Sequence, residues 1–144
     1  MDTVFALHVL ATLLMTGAIW FVQIVHYPLF AKVGSAAFVA YERAHTRRTG
    51  IVVMPLMLTE LATGIAICFV QPPAMPQPWP WVGLTLIALI WLITFFYFVP
   101  MHRRLSQHFD ATICQHLVRR NWTRTLLWSL RAGILLWLAH YSSP

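Results

Sequence analysis

Residues 49–70 read TGIVVMPLMLTELATGIAICFV, an apolar run broken by a single charge at Glu60. A helix needs about 20 consecutive apolar residues to cross the hydrocarbon core of a bilayer, and this run meets that length. Its two flanks differ. Ahead of it lie Lys32, Arg43, Arg47 and Arg48; behind it the segment Gln71 to Pro80 has no charge and is rich in proline. Cytoplasmic loops collect Lys and Arg, so the run reads as a membrane span rising from the cytoplasm and ending outside it.

Working outward, three more runs follow the same rule. Thr3 to about His26 and Trp81 to about Val99 are free of formal charge, and about Trp122 to Ala139 carries only Arg124 and Arg131. The expected architecture is all-α: a four-transmembrane-helix bundle with spans at about 3–26, 49–70, 81–99 and 122–139. It fills one integral membrane domain over residues 1–144. The second basic cluster, Arg103, Arg104, Arg119 and Arg120, falls between the last two spans, so both termini are expected outside the cytoplasm, as in a bacterial inner membrane. Met1-Asp2-Thr3 supplies no basic leader, and the run behind it is longer than a signal-peptide core, so the first helix is expected to be retained.

Composition agrees. Hydrophobic residues make up 59% of the chain and charged residues 10%, against about a quarter charged in soluble domains. The formal charge of +6 would raise nucleic acid as a partner on a soluble face. Divided between two inter-helix patches it indicates topology and contact with a lipid bilayer instead. Cys68 and Cys114 stand far apart and read as small apolar residues. The links themselves carry Phe38, Tyr41, His45 and Arg48, then Phe109, Ile113, His116 and Arg120, at helical spacing. The order Trp20, Pro28, Arg47-Arg48 returns as Trp91, Pro100, Arg119-Arg120, which suggests a tandem repeat of a two-helix unit.

Ionisable residues within a span are expensive and are functional suspects. Glu60 and Arg131 fall at similar depth, which reads either as an ion pair joining two helices or as Glu60 acting as a catalytic or proton-handling group. A second set gathers near the cytoplasmic ends: Gln23 and His26 on the first helix, His102 on the third, and Glu42-x-x-His45 on the first link. Glu-x-x-His puts a carboxylate and an imidazole on one helix face, as in di-iron bundles. His26, Glu42, His45 and His102 are therefore candidate metal ligands, His26 and His102 also candidate haem ligands, and Gln23 a neighbour that handles protons. The plain alternatives are polar anchors for the histidines and pairing of Glu42 with Arg43 or Arg47. His8 and His140 are expected to meet headgroups, and His108 and His116 to be exposed. No Gly-rich phosphate loop, G-x-S-x-G or H-E-x-x-H occurs.

Leu7-His8, Trp20 and Tyr27-Pro28-Leu29-Phe30 resemble the first helix of a loose group of small four-helix membrane proteins. That group includes copper-resistance membrane proteins and haem-binding membrane protoporphyrinogen oxidases. Asn121-Trp122-Thr123-Arg124-Thr125, with Trp128 and Arg131, resembles uncharacterised bacterial four-helix proteins. The resemblance implies the bundle architecture. Together these readings predict a membrane protein holding a transition metal (iron or copper) or haem, an oxidoreductase acting on a lipophilic substrate. The alternatives are an accessory subunit of a larger membrane complex and a small transporter acting as a homodimer.

Overall fold

A computed structural model describes residues 3–30 and 32–141. Four helices, α1 (Thr3–Phe30), α2 (Ser35–Val70), α3 (Trp79–Leu105) and α4 (Ala111–Tyr141), account for nearly all of them. The basic links do not form separate helices. They continue α2 and α4 without a break, so that α2 runs for 36 residues and α4 for 31. Pro55 sits inside α2 without interrupting it. The turn into α2 uses Gly34 at φ 80°, a conformation open to glycine because it lacks a Cβ. Asp110 opens α4: its carboxylate accepts the backbone N–H groups of Thr112 at 2.8 Å and Ile113 at 3.1 Å, the usual N-cap device.

α1 packs along α2 and α4, and α3 packs along the same two helices. α1 and α3 therefore lie on one diagonal of the bundle, and α2 and α4 on the other. Three apolar layers fill the centre. Tyr27, Phe30, Phe38, Phe98, Leu105 and Leu117 form the layer at the link end. Met15, Ile19, Met57, Ile90 and Trp128 form the middle. Phe5, Ile67, Met75, Leu135 and Leu138 close the end that holds the 71–78 loop.

α1 and α3 each contain one π turn, Val22–His26 and Thr94–Phe98. In each, a backbone N–H (Tyr27, Val99) reaches five residues back, to the carbonyls of Val22 and Thr94, and a proline follows immediately. Proline lacks an N–H and its ring collides with the carbonyl four residues earlier. A widened turn just ahead of Pro28 and Pro100 accommodates both defects within a continuing helix.

α1, α2 and α3 are long and apolar enough to cross a membrane. α4 is not, which departs from the expected fourth span at 122–139, because Arg124 and Arg131, with the polar residues around them, lower the hydropathy of that segment. Both arginines are buried inside the bundle. The faces turned away from the core carry Phe21, Phe69, Phe96 and Leu126, all well exposed, as lipid contact requires.

Candidate functional site

Two polar networks bridge the two diagonals at different levels. The first joins α2 to α4. Arg131 donates to one oxygen of Glu60 and pairs with it, and the Trp128 indole N–H donates to the other at 3.0 Å. The second guanidinium nitrogen of Arg131 lies 3.3 Å from both His8 Nε2 and Thr12 Oγ1, and His8 Nδ1 meets Thr63 Oγ1 at 2.8 Å. Every one of these groups except Thr63 is almost wholly buried. His8 thus belongs to the core instead of meeting headgroups. Gly64 makes room for it: a Cβ there would stand 2.6 Å from Ile87 and 3.4 Å from His8. Both carboxylate oxygens of Glu60 are occupied, which is how a buried polar network becomes a structural tie.

The second network joins α1 to α3 at the link end and gathers His26, Glu42, His45 and His102. Glu42 is fully buried and does not pair with Arg43 or Arg47. Its Oε1 takes His102 Nδ1 at 2.6 Å, and His102 Nε2 faces the Tyr27 hydroxyl at 2.9 Å. A carboxylate on Nδ1 fixes the neutral imidazole with its proton there, so Nε2 accepts the Tyr27 O–H. The result is a carboxylate–imidazole–phenol relay across α2, α3 and α1. Beside it, His26 Nε2 and His45 Nδ1 are 2.7 Å apart, and Thr49 Oγ1 is 3.0 Å from the same His45 nitrogen. Gln23 stands one layer deeper. Its amide donates to the Val118 carbonyl at 3.1 Å and its oxygen accepts from Asn121 at 3.0 Å.

A cavity of about 450 Å³ lies against this network, in the size range of small-molecule sites. Met15, Ile19, Val22, Val53 and Met57 form an apolar wall, and Tyr27, His45, His102, Arg103 and Arg124 form a polar end. Met54 and Val99, both substantially exposed, stand on opposite rims on α2 and α3, so the cavity opens sideways between those helices. His26, Glu42, Gln23 and Glu60 do not line it.

Sequence reasoning passed over Tyr27 and Arg124 as functional residues. Arg124 was counted only for topology, although Arg124, Trp128 and Arg131 share one face of α4 at helical spacing. Its guanidinium lies 4.5 Å from the Phe98 ring centre and 5.4 Å from that of Trp128, and it sits beside the Tyr27 hydroxyl.

Among the described residues no group of three or more His, Cys, Asp or Glu side chains is placed to hold a metal ion. The reason is visible in the bonding: both nitrogens of His102 are engaged, and His26 and His45 are turned onto each other. Cys114, ahead of the 122–139 segment on α4, is a free buried thiol. Burial first, then the carboxylates of Glu42 and Asp110, push it up to about 11, which leaves an unreactive thiol at neutral pH. His108, His116 and His140 are exposed. No protein-family model matches this chain, and no curated protein or solved structure matches it either.

Proposed function

We propose that the chain is an integral membrane protein of four spanning helices that admits a lipophilic ligand from the bilayer and handles protons at its polar end. The observation that carries this is the Glu42–His102–Tyr27 relay ending at a laterally open apolar cavity. A phenol O–H hydrogen-bonded to an imidazole, itself oriented by a buried carboxylate, is a poised general acid or base. Tyr27 would exchange the proton with the ligand, His102 would take or return it, and Glu42 would hold the imidazole in orientation. The charge of the two basic links favours a cytoplasmic position for the relay and the cavity mouth, with both termini outside. The fourth span rests on the inward direction of Arg124 and Arg131, which leaves Leu126, Leu130, Leu136 and Trp137 toward lipid. The matched π turns ahead of Pro28 and Pro100 support the tandem two-helix repeat.

Purification in a mild detergent followed by lipid extraction and mass spectrometry tests this. An amphiphile near one per chain is expected, absent from Val53→Trp, whose indole would fill the cavity, while circular dichroism stays unchanged. Equal retention by both proteins would sink the reading.

Iron, copper or haem is the second reading, favoured by three imidazoles and a carboxylate gathering at one end of the bundle. It requires His26 and His45 to separate and His102 to release a partner. An optical spectrum and elemental analysis of the same preparation decide it: a Soret band or stoichiometric metal lost on His45→Ala would establish the site.

A further inference from the structure

Arg124 is 7% exposed, and its Nε has no hydrogen-bond partner. Among the described residues the carboxylates of Glu42 and Glu60 are engaged by His102 and Arg131, and neither pairs with Arg124. Burying a guanidinium without an anion is costly. Its neighbours supply little: a neutral phenol and two aromatic faces. It nevertheless lines the cavity, together with Arg103 at the exposed rim and with Thr94, whose buried hydroxyl is also unpartnered. Contrast Arg131, which faces the same core one layer away and has its carboxylate, imidazole and hydroxyl partners in place. One buried arginine is complete and the other lacks its anion.

We infer that the cavity takes a single-chain amphiphile with an anionic head, a carboxylate or a phosphate, seated on Arg124. The inference rests on the ligand-binding reading above and names the chemistry of that ligand. The tail lies along Met15, Ile19, Val53 and Met57, and the mouth between Met54 and Val99 admits it from the bilayer. Arg103 stands where an incoming head passes the rim, and its exposed charge draws the head in. Arg124 holds it within reach of Tyr27. A planar fork of N–H donors suits a two-oxygen acceptor, which both head types present.

The test is equilibrium binding of labelled oleate, oleoyl lysophosphatidate and oleyl alcohol to the full chain in mild detergent. At least one anion should bind roughly tenfold or more tightly than the alcohol, about 1.4 kcal/mol per factor of ten. Which anion wins separates a free fatty acid from a phosphate-headed lipid. Arg124→Gln should erase the preference, Arg124→Lys should keep part of it, and Arg103→Gln, at the rim, should leave most of it. A preference that survives Arg124→Gln overturns the inference, as does an alcohol that binds as tightly as both anions. If Arg124→Gln does not fold, the wild-type comparison of both anions with oleyl alcohol decides alone. Val53→Trp separates the two levels. Neutral and anionic chains bound equally and both lost in that variant would leave the cavity reading standing and remove the anion. Binding unaffected by Val53→Trp would remove both.

Discussion

Glu60 and Arg124 are buried charges in the same bundle, and their surroundings differ. Glu60 has Arg131 on one oxygen and the Trp128 indole on the other. Arg124 and the second oxygen of Glu42 are left open. Buried polar groups in native proteins are nearly always satisfied, and of the exceptions here Arg124 and Thr94 line the cavity and Glu42 belongs to the relay, while Asn121 lies with Gln23 one layer deeper. The pair between α2 and α4 should then be a stability element. Glu60→Gln leaves Arg131 buried without its counter-charge and is expected to cost about 3–5 kcal/mol. Replacing both partners with methionine should recover much of that loss, since no charge is then left unpaired. Unfolding of the single and double variants in mixed detergent, followed by tryptophan fluorescence, measures both. Single variants as stable as the parent would mean that the charges are solvated by some other route.

At the scale of the helix, the π turns are what aim the relay. Each extra residue in a turn rotates everything beyond it by about 100° relative to a regular helix. The turn at Thr94–Phe98 therefore fixes where His102 points, and the turn at Val22–His26 does the same for Tyr27. Pro100→Ala restores the missing N–H and lets the Phe96 carbonyl take an ordinary bond four residues on. The expected outcome is unchanged helix content by circular dichroism with oleate binding weakened by about tenfold, a change of about 1.4 kcal/mol. Binding left intact would reduce the π turn to an accommodation of proline. The sequence signalled part of this. The equal intervals from Pro28 to Arg47-Arg48 and from Pro100 to Arg119-Arg120 were visible in the sequence, and α1, α2 and α3 were legible as long apolar helices because apolar runs need no tertiary knowledge. The gathering of His26, Glu42, His45 and His102 was legible too, from their shared depth at the helix ends. Their bonding was not. Depth places residues at one level but says nothing of rotation about each axis, and rotation decided that Glu42 turns inward to His102. It also carried His8 into the core and made Tyr27, unremarkable beside Pro28, the end of the relay.

For the whole molecule the deciding element is α4, whose composition falls short of a span although it packs along α1 and α3. Hydropathy sums every side chain, but lipid meets only those on the outer face. On α4 that face presents Leu126, Leu130, Leu136 and Trp137, and Arg124 and Arg131 are turned to the centre. α4 packs along both α1 and α3, so the four-span proposal predicts that its far end emerges beside the 71–78 loop, where Trp79 and Trp137 meet edge to face with ring centres 5.5 Å apart. Single cysteines placed in a Cys68→Ala, Cys114→Ala background read this directly with a membrane-impermeant maleimide. Gln77→Cys and Tyr141→Cys should label from one face of the membrane and Gln107→Cys from the other. Labelling of Tyr141→Cys from the Gln107 side would show that α4 returns without crossing, and the basic links would then no longer determine where both termini lie. Labelling of Gln77→Cys and Tyr141→Cys from the cytoplasmic face would keep four spans but invert them, setting the eight Lys and Arg residues of the two links outside against the positive-inside rule.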